Sequence, residues 1–300
     1  MEQQPSRVTV KQRYAHLAPK FLANVDSGET VSHSDVYQPA NPANRVLVEA
    51  IIDDLIQPGS TLLGFEHFVD LYERAQRGES CLLTSEHFSN FDLPVLYYLL
   101  CKQGDLGKKI AESIVAVAAA KLNEENRFVR AFTQAYTRIV IYPSRALAAI
   151  SDPEQFEQEQ RRSREINMSA LRAMVRKKNS GHIIMVFPAG TRYRPEIPDS
   201  ARGLPEIDGY MKQFDNVLPV GMGGNLLLVN PSNDMSEDFV NEDLMVVKAG
   251  PVIASKAFRE EHRAACPEGM DPKQYVVDQL MKRLAELHEE IEQYRDGLRS

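Results

Sequence analysis

Five short apolar runs recur from residue 80 onward, and between them the chain reads as helix. They are SCLLTS (80–85), SIVAVAAA (113–120), RIVIYP (138–143), HIIMVFP (182–188) and NVLPVGMGGN (216–225). A strand covered on both faces reads as a near-continuous apolar run, whereas a strand with one wet face alternates. Helical spacing fills the gaps in LPVLYYLLCKQ (93–103), ENRFVRAFTQAY (125–136) and the long charged segment 152–181. A further strand lies within EDLMVVKAGPVI (242–253), and 271–298 reads as a terminal helix. Strands alternating with helices specify an α/β fold, with a mixed, mostly parallel sheet flanked by helices. Before residue 78 the texture differs. VLVEAIIDDLI (46–56) and FEHFVDLYERAQRG (65–78) have helical spacing, and 28–45 reads as loop. The expected division is a small helical N-terminal domain over 1–77 and an α/β domain over 78–300.

In an open α/β sheet, ligand groups collect beyond the carboxyl ends of strands. His87 and Asp92 follow the first run, Lys121 the second, Arg145 the third, and Arg192 and Arg194 the fourth. A gap of five would splay His87 and Asp92 about 140° apart on a regular helix. Across a strand-to-helix turn, with Ser89 or Asn90 as N-cap, the aspartate can fold back onto the imidazole. Asp92 would then keep one ring nitrogen protonated and leave the other as acceptor. That is a general-base pair without its own nucleophile. No GxSxG stretch supplies one, so the expected nucleophile is a substrate hydroxyl.

The arginines suggest what else the substrate carries. Guanidinium groups grip phosphate bidentately and keep their charge. Arg192 and Arg194, two apart in an extended segment, would point the same way. Gly190 lets the backbone approach closely there, as a turn or oxyanion residue. A hydroxyl plus a phosphomonoester is a sugar or polyol phosphate. Singly, each of these residues has an ordinary structural reading; their order and spacing carry the functional one.

A net charge of -7 argues against a nucleic-acid partner. Cys81, Cys101 and Cys266 are far apart with no CxxC pair, so no metal site is expected and a reduced compartment fits. The longest apolar run, LPVLYYLLC (93–101), is about half a membrane span. The expectation is a soluble or peripheral protein of the cytoplasm, or of the plastid stroma if processed.

These residues resemble the glycerolipid acyltransferase superfamily. SEHFSNFD is similar to its NHxxxxD block, VFPAGTRYR to its FPEGTR block about 100 residues later, and LPVGM to a further block. The order of IAESIVAVAAAKL, IVIYPSRA and FPAGTRYRP, with the long helix between, most resembles the soluble chloroplast glycerol-3-phosphate acyltransferases. The resemblance runs from about residue 45 to 298 and is strongest from 80 to 225. It implies a helical N-terminal domain and a large α/β acyltransferase domain. It also implies transfer of a fatty acyl group from an acyl-carrier protein or coenzyme A thioester to the sn-1 hydroxyl of glycerol 3-phosphate. By resemblance His87 is the catalytic base and Asp92 its partner, while Lys121, Arg145, Arg192 and Arg194 bind substrate. No cofactor beyond the thioester co-substrate is implied. Two alternatives stay open: acylation of 1-acylglycerol 3-phosphate, and a non-catalytic phosphate- or lipid-binding relative. Contact with a membrane surface also stays open. The sequence departs from the family pattern at Glu86, where asparagine is usual, and at Ala189, where glutamate is common. It departs again at Ala146, where the chloroplast group has histidine.

Overall fold

A computed structural model describes residues 7–25, 30–124, 127–230 and 234–299. In chain order the strands are β1 (Tyr37–Gln38), β2 (Thr61–Leu63), β3 (Cys81–Ser85), β4 (Ile114–Ala119), β5 (Arg138–Ile141), β6 (Ile183–Val186) and β7 (Asn216–Gly223). They continue with β8 (Leu227–Leu228), β9 (Phe239–Val240), β10 (Val246–Ala249) and β11 (Ile253–Ala254). The helices are α1 (Val10–Arg13), α2 (Ala18–Ala23), α3 (Pro42–Leu55), α4 (Phe65–Gln76), α5 (Asp92–Cys101), α6 (Gly104–Ser113) and α7 (Lys121–Glu124). After them come α8 (Arg127–Thr133), α9 (Ser144–Ala148), α10 (Pro153–Lys178), α11 (Glu206–Lys212), α12 (Ser255–Ala264) and α13 (Pro272–Arg299).

Nine strands form one sheet in the order β1-β5-β4-β6-β3-β7-β10-β2, with β11 also beside β7. From β5 through β7 every neighbouring pair is parallel. β1 runs antiparallel to β5, and β10 and β11 run antiparallel to β7. The fold is α/β with a mixed, mostly parallel sheet. Every residue of β3, β6 and β7 is buried, which is why these strands read as unbroken apolar runs. Successive residues feed opposite clusters, as the two-residue period requires. Leu83, Met185 and Leu218 face α3, α4, α5 and α6. Leu82, Ile184 and Val217 face α10, α11 and α13. Fully burying each such side chain contributes about 1.5–3 kcal/mol.

Pro219 sits inside β7, where a missing N–H should break a ladder. Its carbonyl accepts the Gly250 N–H at 2.9 Å, on the edge where β10 pairing has stopped at Val220 and β11 pairing begins only at Val217. The missing donor falls in that gap. On the face of β7, α13 comes so close that a Cβ at Gly223 would stand 2.1 Å from Ile291 Cγ2.

The stretch 1–77, expected as a helical N-terminal domain, holds strands as well as helices. That stretch supplies both outer strands of the sheet, β1 against β5 and β2 against β10. Val48 and Ile51 of α3 and Phe68 and Leu71 of α4 lie in the same cluster as β3 and β7. Strands of two and three residues are too short to show a period in sequence, so only the helices were visible there. The helix expected over 93–103 is α5, and that over 152–181 is α10, capped by Asp152 on the Gln155 N–H at 2.8 Å. The helix expected over 125–136 is α8; residues 125 and 126 lie outside the described residues, as do 28 and 29 of the expected loop. Among the described residues no helix is long and apolar enough to cross a membrane.

Candidate active site

β3 lies near the middle of the sheet, and the chain leaves its carboxyl end at Ser85. His87 comes two residues later, and α5 starts at Asp92. Between them the chain turns back on itself, and the carboxylate of Asp92 fills the turn. Its Oδ2 lies 2.8 Å from His87 Nδ1 and accepts the N–H of Phe88 at 2.7 Å and of Ser89 at 2.9 Å. Its Oδ1 accepts the Ser89 hydroxyl at 3.2 Å. Asp92 is 2 % exposed; a carboxylate is tolerable at that depth only when donors meet its oxygens. The position at the start of α5 adds the favourable end of the helix dipole.

This differs from the cap read in the sequence. Neither Ser89 nor Asn90 caps α5; the N-cap position is Phe91, and the Ser89 hydroxyl accepts the Phe91 N–H at 3.0 Å. Because the carboxylate only accepts, Nδ1 of His87 carries the proton and Nε2 is left as the acceptor. The ring stacks on Phe187, with centroids 4.0 Å apart and planes 15° apart. The His87 carbonyl accepts the Tyr193 N–H at 2.7 Å. The loops after β3 and β6 thus hold the imidazole from two sides.

His87 opens onto a cavity of about 820 Å³, and Lys121, Arg145, Gly190, Arg192 and Arg194 border the same cavity. Every site residue expected from sequence therefore meets there except Asp92, which stands behind the imidazole. Lys121 and Arg145 are exposed and Arg194 is half-buried. The Nε of Arg194 is buried without a hydrogen-bond partner among the described residues. With Arg138, five cations border this space against one carboxylate, Glu206, and that balance favours an anion. The remaining wall is largely apolar and includes Val117, Phe132, Ile141, Leu171, Met174 and Ile207.

Arg192 and Arg194 do not form the parallel pair expected of an extended segment. The chain after β6 turns at once, with the Gly190 N–H donating to the Phe187 carbonyl at 2.9 Å. Gly190 has φ +63°, and a Cβ there would stand 2.7 Å from Leu204 Cδ1. Gly190 makes the turn, and its own N–H is spent inside it, so it is not an oxyanion donor. Arg192 is buried in an ion pair with Asp238. The main chain of Arg194 is bridged by the Ser200 hydroxyl, which accepts its N–H at 2.8 Å and donates to its carbonyl at 3.1 Å.

Two contributors carried no signal in the sequence, and a third showed only as a departure from the family pattern. Phe187 was one more apolar residue in a strand run. Asp238 lies in a polar stretch without periodicity. Glu86 was noted as a departure, and its role is structural: its Oε2 accepts the Met222 N–H at 3.1 Å and lies 3.3 Å from His288 Nδ1. The Glu86 hydrogen bond holds the His288 imidazole above its ordinary value.

A family model described as Acyltransferase matches residues 68–227. No curated protein matches this sequence. The matched span covers more than half of the chain and takes in His87, Asp92 and all five cavity cations. A match of that extent makes this chain a member of the acyltransferase family.

Proposed function

We propose that this acyltransferase moves a fatty acyl group from a thioester of acyl-carrier protein or coenzyme A to the sn-1 hydroxyl of glycerol 3-phosphate, the first step of phospholipid synthesis. The observation that carries this reading is a single cavity shared by an Nδ1-protonated His87 and five cations. His87 Nε2 takes the proton of the acceptor hydroxyl as its oxygen attacks the thioester carbonyl. The new C–O bond forms, the tetrahedral intermediate collapses, and the C–S bond breaks. The imidazolium then returns its proton to the departing thiolate. Asp92 orients the ring and stabilises the imidazolium at 2.8 Å.

The cations are read as the site of the acceptor phosphate. The unpartnered Nε of Arg194 supports this, because a buried donor left without an acceptor costs about 1–3 kcal/mol. The apolar wall suits a fatty chain, each buried methylene contributing about 0.8 kcal/mol. The test is to supply acyl-coenzyme A or acyl-carrier protein together with either glycerol 3-phosphate or 1-acylglycerol 3-phosphate, and to identify the product. A 1-acyl product from glycerol 3-phosphate is expected, lowered about 10²–10⁴-fold by His87→Ala. Acylation of 1-acylglycerol 3-phosphate alone would reassign the acceptor. No turnover with any pair would leave a binding protein.

A further inference from the structure

We infer that Asp238 is a positioning residue for the reaction: it fixes Arg192 and Asn90, on two different loops, in the places from which they face the cavity. Asp238 lies outside the matched span and does not border the cavity. Its side chain is 1 % exposed. Its Oδ2 receives both Arg192 Nη1 and, at 3.0 Å, Asn90 Nδ2. Its Oδ1 receives the Asn230 N–H at 3.0 Å. Asn90 belongs to the turn between His87 and Asp92, Arg192 to the turn after β6, and both border the cavity. One carboxylate therefore ties together the loop that carries the base and the loop that carries two of the cations, Arg192 and Arg194.

The carboxylate is itself anchored by main chain. The Asp238 carbonyl accepts the Val10 N–H at 2.9 Å, the Val240 N–H donates to the Val8 carbonyl at 3.0 Å, and Thr9 bridges Phe239. A guanidinium has five donors in a rigid fork. Engaging Nη1 fixes the plane of that fork and leaves further donors for an anion in the cavity. Without the carboxylate, Arg192 and Asn90 would each lose a buried acceptor, and neither would keep its direction.

The inference rests on the proposed function only in taking a phosphate-bearing acceptor as the ligand of Arg192. Asp238→Asn keeps the shape but removes the charge. It should raise the KM for glycerol 3-phosphate about tenfold or more, the usual worth of a hydrogen bond to a charged group, with the thioester KM unchanged. In an Arg192→Ala background the same change should add almost nothing, because the two residues act as one unit. Asn230→Ala removes the Asn230 Nδ2 bond to the Glu237 carbonyl (2.8 Å) and loosens the same segment. It should lower Tm without moving either KM. NMR of labelled arginine gives a readout that needs no acceptor. The Arg192 guanidinium N–H signals, identified by their loss in Arg192→Lys, should exchange slowly in the wild type and rapidly in Asp238→Asn. If the wild type acylates no phosphate-bearing acceptor, the proposed function fails and the NMR arm alone decides. If Asp238→Asn does not fold, the wild-type spectrum decides. Fast exchange there, an unchanged acceptor KM, a defect confined to the thioester, or a full extra loss in the Arg192→Ala background would each overturn the assignment.

Discussion

Asp92→Asn should slow turnover by about three to four orders of magnitude while leaving most of the turn in place. The amide oxygen can stay where Oδ2 now accepts the N–H groups of Phe88 and Ser89 and the Nδ1–H of His87. The amide NH₂ then replaces Oδ1, opposite the Ser89 hydroxyl, which can accept from it. What is lost is the charge facing the imidazolium. At 2.8 Å and an effective dielectric constant of about 20, Coulomb attraction reaches about 6 kcal/mol. That is the ceiling, met only if proton transfer is complete in the transition state. One decade of rate corresponds to about 1.36 kcal/mol, so the ceiling is about 10⁴ in kcat and a partial transfer gives about 10³. KM values should hold, because the charge on His87 develops only during reaction. Two backbone hydrogen bonds change from charged to neutral acceptors, at about 1 kcal/mol each. A loss of about 2 kcal/mol should lower Tm by about 4–6 °C. The assay is continuous detection of released thiol at saturating substrates, paired with a circular-dichroism melt. A folded variant within tenfold of wild-type kcat would refute the reasoning. So would a His87→Ala/Asp92→Asn double variant slowed by the full product of the two single effects, since residues acting as a unit are not additive.

Arg194→Lys should raise the acceptor KM about tenfold or more without moving the thioester KM, in initial-rate titrations of both substrates. Arg192→Lys should in addition lower Tm, because it disturbs the buried pair with Asp238. Gly223→Ala would set a methyl 2.1 Å from Ile291 Cγ2. It should cost about 1–3 kcal/mol by overpacking, visible in a melt and absent from the kinetics. His288→Gln tests the Glu86 hydrogen bond. His288 is raised above its ordinary value of 6.5, so its stabilisation is complete below about pH 6.5 and fades as pH rises through the raised value. The Tm gap between wild type and variant should be widest in acid and close on the alkaline side; a pH-independent gap would refute the linkage.

The parts of the fold legible in sequence were those whose burial leaves a pattern. β3, β6 and β7 are buried at every position, and α10 carries its own cap in Asp152. β1 and β2 were hidden because edge strands of two and three residues owe their existence to β5 and β10, about a hundred residues away for β1 and farther still for β2. α6, α11 and α12 fell in stretches left unassigned. The site shows the same division. The rule that ligand groups gather beyond strand ends brought His87, Lys121, Arg145, Arg192 and Arg194 to one cavity. It could not tell that Arg192 is engaged by Asp238, because that partner is supplied by tertiary packing alone. The backward fold of Asp92 onto His87 was legible as a permitted geometry, yet the cap was misplaced. The carboxylate itself gathers the turn's N–H groups, leaving Ser89 and Asn90 no capping part.

The placement of β2 has a consequence for synthesis. The strand ends at Leu63, and its sheet neighbour β10 begins at Val246. At about 5–20 residues per second, the ribosome needs about 10–40 s to deliver that neighbour. Through this interval the first strands and the apolar face of α4 have no finished sheet to join, and such distant pairing is slow to form. Ribosome-bound chains stalled near residue 200 should be cut by protease between α3 and α4. Chains released at full length should resist, because the outer edge closes only when the last third of the sequence has arrived.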